Sequence, residues 1–282
     1  MLAGTSPASR KGRSLVAKKE PGKVERIAAG LRAKIESGEY GPGDRLPSVS
    51  DLQSAEGIAF QTARDVFRAL EREGVAFTRQ GKGSFVTPFL GKITRDGSGR
   101  YQAAARSEGG ARGAFEAELN RLGLVYKRTP TDIGRDRPAP DVAAALGLGH
   151  HSSKAIYRRR EMKAGRDAAD PAEGFVVQLA TSWFPLDIAG GTAIEQADTG
   201  PGGSKSRLAD LGYPVRHVRE TIEARFPSPA EAAALNIPED RQVYELVHHA
   251  STADGRVVEF ALHIMPSTIW RFAYTWDLDD VG

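Results

Sequence analysis

The sequence contains no cysteine. That excludes disulfides, thiolate metal sites and a cysteine nucleophile. No apolar run approaches the ~18 residues of a membrane-spanning helix, so no membrane partner is expected. Residues 1–22 hold no apolar segment of the kind a secretory signal carries, and the expected location is the cytoplasm. Also absent are G-x-S-x-G, H-E-x-x-H, a Walker A loop and a G-x-G-x-x-G in a strand-to-helix setting. His150-His151 falls in a Gly/Ser loop. His248-His249 falls on a strand, where adjacent side chains face opposite sides and cannot hold one metal together. No catalytic residue, metal site or cofactor is therefore expected.

What is present is unevenly distributed. The 282 residues suggest two domains. The net charge is only +3. Residues 1–95, however, carry 17 basic and 10 acidic side chains, and the remainder carries a mild acidic excess. A basic front on a near-neutral back suits a nucleic-acid-binding head on a second module. A basic tail on an ordinary globule gives the same charge pattern, because residues 1–22 supply five of those cations. That Ser/Gly/Lys-rich stretch is expected to be disordered.

The motif between residues 23 and 88 separates the two readings. Val24, Ile27, Ala28, Leu31 and Ile35 share one face of a helix running to about Ser37, and Gly38 ends it. Gly41 to Asp44 is a turn. Ser48 and Asp51 have the spacing of a capping box at the start of a second helix. After Gly57, residues Phe60 to Glu73 place Ala63, Val66, Phe67 and Leu70 on a buried stripe. Gln61, Thr62, Arg64, Asp65 and Arg68 fall on the other face. Short β-prone runs, Val75 to Thr78 and Ser84 to Val86, then flank Gln80-Gly81-Lys82-Gly83. Helix, turn, helix and hairpin make a winged helix-turn-helix.

These residues resemble the GntR family of bacterial transcription regulators over about 65 positions. The quoted match is Ile27 to Ile35, Gly43-Asp44-Arg45-Leu46-Pro47-Ser48, Thr62-x-Arg64, Leu70-x-x-x-Gly74 and Gln80 to Val86. The resemblance implies a homodimer on a palindromic double-stranded DNA operator. The recognition helix would enter the major groove and the wing would approach the minor groove. Carried over by position, the DNA-binding residues are Arg45, Ser48, Phe60, Gln61, Thr62, Arg64, Gln80, Gly81 and Lys82. Two departures matter. Val49-Ser50 replaces the family's usual Glu-Arg, and Ala59-Phe60 replaces Ser-Arg. Ala59 is a poor N-cap, and Phe60 offers a thymine methyl contact or packs on the second helix. Solvated polar roles for Gln61 and Thr62, and an ion pair for Arg64, remain the bland alternatives.

Residues 89–113 are rich in Gly, Ser, Arg and Ala and read as a linker, with a strand conceivable at Leu90 to Ile93. Beyond it, Phe115, Glu118, Leu119 and Leu122 mark a helix, and Leu124 to Thr131 a strand. An internal repeat follows. Ala143 to Leu148 is echoed by Ala232 to Ile237, Ile156 to Arg160 by Val243 to Val247, and Val176 to Pro185 by Val257 to Pro266. Each copy reads helix, strand, hairpin, strand, with Lys163 to Gly174 as the longer hairpin. Pro214 to Ala224 is a further strand, Gly200 to Ser206 a flexible loop suited to a lid, and Trp270 to Trp276 a core-forming close. The fold expected is α+β, with a central antiparallel sheet in residues 114–282.

This half resembles the UTRA effector domain of the HutC subfamily, whose fold is similar to chorismate lyase. The resemblance implies a small-molecule effector beside the sheet, with dimerisation through the same domain. Arg158 and Arg160, two apart on a strand, share a face and suit an anionic group. Salt bridges to Glu161, Glu259 or Asp187 are the alternative use of that pair. The effector-binding residues carried over are Arg158, Arg160, Gln178, Ser182, Trp183 and Glu259. His263 is expected to be a core histidine. The combined expectation is a nucleoid-associated repressor released from its operator by an anionic effector. The competing expectation is a constitutive DNA-binding or plasmid-maintenance protein whose second domain only dimerises.

Overall fold

The computed structural model describes residues 22–79, 81–87, 92–149, 153–166 and 174–277. The tail up to residue 21, Gln80, Leu90, the His150-His151 pair and residues 167–173 of the long hairpin lie outside these.

Three helices and a hairpin form the head: α1 (Lys23–Glu36), α2 (Val49–Glu56), α3 (Phe60–Arg72), β1 (Ala76–Arg79) and β2 (Gly83–Val86). Their apolar stripes converge on one core containing Ile27, Leu31, Ile35, Leu46, Leu52, Val66, Phe67 and Leu70. The capping box forms as spaced. Ser48 Oγ accepts from the Asp51 amide at 3.1 Å, and the Asp51 carboxylate accepts from the Ser48 amide at 3.0 Å. Gly57 takes the left-handed conformation, φ +59°, that lets α2 stop and the chain turn into α3. Ala59 caps α3 with no side-chain hydrogen bond.

The segment expected as a linker is structured from residue 92. It contains β3 (Ile93–Asp96) and α4 (Ala103–Ser107). The chain continues through α5 (Ala114–Arg121), β4 (Val125–Lys127), β5 (Asp132–Asp136), α6 (Pro140–Ala145), β6 (Ala155–Gly165), β7 (Phe175–Pro185), α7 (Leu186–Ala189), α8 (Gly203–Asp210), β8 (His217–Arg225), α9 (Pro229–Leu235), β9 (Val243–Ser251), β10 (Val257–Pro266) and β11 (Trp270–Ala273). The single strand expected at residues 124–131 is two strands, β4 and β5, which both pair with β6. Leu122 closes α5 exposed to solvent rather than buried. Gly203 begins a helix where a flexible loop was expected. The aromatic close divides: Trp270 is fully buried, whereas Trp276 is 75% exposed and stacks on Tyr274.

The large antiparallel sheet runs β4-β6-β7-β10-β9-β8, with β5 also on β6. The repeat is visible in its ladder. Thr181 of β7 stands opposite Leu262 of β10, and these are equivalent positions of the two copies. A local two-fold axis therefore passes through that pair. Around it β5, α6, β6 and β7 match β8, α9, β9 and β10. The ladder corrects one alignment. Arg160 pairs with Ala180 and His248 with Ala261, so Arg160 corresponds to His248 and not to Val247. A one-residue slip of this kind exchanges the faces of a strand.

A second, two-stranded sheet pairs β3 in parallel with β11. It fastens the start of the second half to its end. Among the described residues the head touches this body at several points. Phe77 of the wing meets Phe175 edge to face at 4.2 Å between ring centroids, and Arg166 Nη1 donates to the Pro42 carbonyl at 3.1 Å.

Candidate nucleic-acid interface and ligand cavity

On the head, α3 presents an outer face because its inner stripe is consumed by the core. Gln61 and Arg68 both donate to Asp65, each at 3.0 Å. Arg64 is exposed and has no ion pair or hydrogen bond among the described residues, so Asp65 is not its partner. Thr62 is half-buried beside it. Phe60 stands 54% exposed at the start of α3 instead of packing on α2. Ser48 Oγ donates to the Asp51 carboxylate at 2.7 Å and accepts from its amide, so the hydroxyl proton is held inside the cap. The wing is braced from behind: Leu46 donates to the Ser84 carbonyl at 2.9 Å and Val86 to the Asp44 carbonyl at 2.8 Å. Arg45 lies along this brace, so close that a Cβ at Gly83 would sit 3.2 Å from its Nε. Gly81 turns the wing tip at φ +73°, which a side chain would resist, and Lys82 beside it is exposed.

The body holds a cavity of about 300 Å³ against one face of the large sheet. Strand alternation decides what reaches it. Arg158 and Arg160 of β6, Gln178 and Ser182 of β7 and Glu259 of β10 line it together. Trp183, the neighbour of Ser182, points to the other face and packs with Val142, Leu146, Ala155 and Phe260. It does not line the cavity where the effector contact was expected. The far wall comes from the structured segment after residue 92, through Arg95, Arg100, Tyr101 and Arg106, and the roof from Lys205 of α8. The first four escaped the sequence reading because Gly and Ser around them suggested a linker; Lys205 fell within the Gly200 to Ser206 stretch read as a lid, without being singled out. The alternation of buried Ile93 and Arg95 was the available signal.

The carboxylates are paired. Glu259 accepts from Lys205 Nζ at 2.6 Å, both nearly buried. Glu118 accepts from Arg100 at 2.5 Å, and Asp198 from Arg112 at 3.0 Å. Burial pushes the Glu259 carboxyl up, but Lys205 and its other cationic neighbours outweigh that and hold it at about 2. The two sheet arginines behave differently from the expected clamp. Arg158 is buried and spends its guanidinium on main-chain carbonyls, Ile194 at 2.5 Å, Ala197 at 3.2 Å and Gln196. It anchors the 194–197 loop. Burial, then the charge of Arg160, pushes it down to about 10. Among the described residues Arg160 donates only to Ser182 Oγ, at 2.9 Å, and its buried Nε has no partner. Neither arginine pairs with Glu161, Glu259 or Asp187. His263 lines the cavity and meets Gln178 Nε2 through Nδ1 at 2.8 Å.

Behind the cavity wall, Glu220 gathers Arg95, the Tyr101 hydroxyl and His248 Nδ1, the last at 3.1 Å. Burial, then the charge of Lys205, pushes the His248 imidazole down to about 4, outweighing Glu220. Its folded value lies below its unfolded one, so the unfolded chain takes up the proton first. The stability this group contributes is therefore complete above pH 6.5 and is lost as the pH falls to 4. At ~1.4 kcal/mol per unit, about 2 kcal/mol should disappear between pH 7 and pH 5. Urea unfolding of the native chain and of His248→Gln at both pH values checks this; equal losses in the two proteins would refute it.

The comparisons with known proteins agree with this division. Residues 23–86 match the model of bacterial regulatory proteins of the gntR family, and residues 121–269 match the UTRA domain. The chain belongs to the GntR family. An HTH-type transcriptional regulator of Streptomyces coelicolor, SCO4628, is 32% identical over 90% of this chain and 92% of its own length. The mannosyl-D-glycerate transport/metabolism system repressor MngR of Escherichia coli is 38% identical over 87% of this chain and 92% of its own. The crystal structure of PhnF from Mycobacterium smegmatis superposes with a TM-score of 0.54 at 17% identity, covering 90% of this chain and all of that one, and so shares the fold. The GntR head and UTRA domain make this protein a DNA-binding transcriptional regulator and not an enzyme.

Proposed function

We propose that the protein is a homodimeric repressor in the cytoplasm, holding a palindromic operator through α3 and the wing and letting go when a small anion fills the UTRA cavity. Residues 23–88 serve as the reading head and residues 92–277 as the body that senses the ligand and carries the dimer contact. The relative named MngR, similar over most of its length, is a repressor, which favours that sign of regulation. The observation that carries the effector half of this reading is Arg160. Its guanidinium faces a cavity without a carboxylate partner, where an unpaired charge is costly and an incoming anion would relieve it.

On the DNA side, Arg64 is a cation on the outer face of α3 without a partner among the described residues, flanked by Thr62, with exposed Phe60 placed for a thymine methyl. Gly81 and Lys82 supply the wing contact, and Arg45 holds the wing in position while its charge lies near the backbone. Ligand binding acts only through a difference in affinity between the DNA-gripping arrangement and another. Selection from random duplex DNA at near-physiological salt is expected to enrich a two-fold-symmetric site. Arg64→Ala should weaken that site by about 1–3 kcal/mol, or five- to 150-fold. Equal affinities of the two proteins would remove Arg64 from the interface. Binding without any sequence preference and with one salt slope would leave only an electrostatic binder.

A further inference from the structure

Between the head and the body lies a second cavity, of about 500 Å³, which shares no lining residue with the one beside the sheet. Its walls come from both modules. The head supplies the end of α3 and the wing strand, through Glu71, Gly74, Ala76 and Phe77. The body supplies the start of β7, the end of α9 with the turn after it, and Thr268 before β11. Two pairs of lining residues bridge the modules. Phe77 meets Phe175 edge to face. The Gly74 backbone runs so near Thr268 that a Cβ at Gly74 would sit 3.0 Å from the Thr268 Cβ. The cavity therefore exists only while the head is seated on the body.

The lining combines hydrocarbon with one unsettled cation. Phe77, Phe175, Val176, Leu235, Ile237 and Ile269 supply the carbon. Lys163 and Arg241 stand on the body side and Glu71 on the head side. Lys163 reaches Glu161 at 3.5 Å. Arg241 is only 14% exposed, and its buried Nε has no partner among the described residues. Its ion pair is with the neighbouring Asp240 at 3.3 Å, a carboxylate 71% exposed to water. Such an exposed acid holds a guanidinium weakly, and the orphaned N–H bears a desolvation cost. A ligand with an acid at one end and hydrocarbon along the rest meets both needs. A polyhydroxylated ligand would strand its hydroxyls against the apolar wall. An ammonium group would meet two cations against one acid.

We infer that this cavity is a second ligand site, which takes an apolar monoacid with its carboxylate on Arg241 and its hydrocarbon between Phe77 and the wall of β7 and α9, and that such a ligand ties the head to the body. The volume falls within the range of small-molecule sites. A ligand that touches both modules favours the seated head over any other placement, whatever fills the cavity beside the sheet. Glu71 lines the same chamber from the recognition helix, so its charge opposes the anion and limits the affinity.

Isothermal titration and thermal unfolding of the full chain, at constant ionic strength and pH 7.5, test this with 2-naphthoate, 2-naphthalenemethanol and 2-naphthylmethylamine, which share a ring system and differ in charge. Naphthoate is expected to raise the unfolding temperature and to bind about tenfold more tightly than the alcohol, the worth of one charge-assisted hydrogen bond. The amine should bind more weakly than the alcohol. Arg241→Met should reduce naphthoate to the affinity of the alcohol. Ala233 is an exposed lining position on α9, and Ala233→Trp should fill the chamber and abolish binding while retaining the far-ultraviolet dichroism of the native chain. Glu71→Gln should tighten naphthoate severalfold, which reports the head's share of the site. Equal affinities of the three probes, or binding that survives Ala233→Trp, would overturn the site. Naphthoate binding indifferent to Glu71→Gln would remove the head from it, and the tether with it. Binding lost in Arg160→Met and kept in Arg241→Met would place the ligand beside the sheet and overturn the second site. No binding of any probe at millimolar concentration would leave the cavity a mere seam and overturn the proposal.

Discussion

Replacing Trp270 by alanine is expected to cost about 3–5 kcal/mol of folding stability. The side chain is fully buried in the core shared by Phe115, Leu119, Val177 and Ile93. It also donates from Nε1 to the Val177 carbonyl at 2.7 Å. Its loss leaves a large void and an unmet carbonyl at the seam between β7 and the β3–β11 sheet. That sheet carries Arg95 into the cavity wall. Urea midpoints at fixed protein concentration measure the change. Trp270→Phe, which keeps most of the packing but not the donor, should cost clearly less. A loss below about 1 kcal/mol for alanine would mean that the seam is not part of the core.

The second large effect is expected at Glu118. This carboxylate is buried on α5 and pairs with Arg100, itself buried, at 2.5 Å. Burial raises its pKa, and Arg100 opposes that shift. Glu118→Ala strands a guanidinium in the interior, at about 3–5 kcal/mol. The double change Glu118→Leu with Arg100→Met removes both charges and should recover much of the loss, because the pair is worth little against an apolar replacement. Chemical denaturation of the native chain, Glu118→Ala, Glu118→Leu, Arg100→Met and the double variant gives the coupling. If the double variant were as unstable as Glu118→Ala, the penalty would come from packing and not from the orphaned charge. The pair matters to the site because it pins residues 100–113 against α5 as a cavity wall.

The head was legible in the sequence because its signals are local. Capping spacing at Ser48, the glycine after α2 and the apolar stripe of α3 each specify their own few residues, and each forms as spaced. The antiparallel sheet was legible through the repeat. What escaped depends on contacts distant in the chain. Arg95 and Tyr101 meet Glu220, and Lys205 meets Glu259, across separations that no window of residues reveals. Nothing near Arg158 announced that its donors would be taken by the 194–197 carbonyls. Trp183 went astray through alternation alone: one residue beyond Ser182, it belongs to the opposite face. A Gly-rich stretch with alternating Ile and Arg was read by its glycines.

The structured wall has a mechanical consequence for the head. Since the body begins at Lys92 and the head ends its wing near Thr87, five peptide links join them, a contour of at most about 18 Å. A head on so short a leash cannot hunt for its half-site while the body stays behind. In the proposed homodimer, two such heads would inherit their separation from the way the two bodies are joined, and the body would act as a ruler laid along the duplex. Such a ruler would set both the distance between half-sites and their phase around the ~10-base-pair turn. A ligand that changed its length or twist slightly would take both heads out of register together, without having to touch either one.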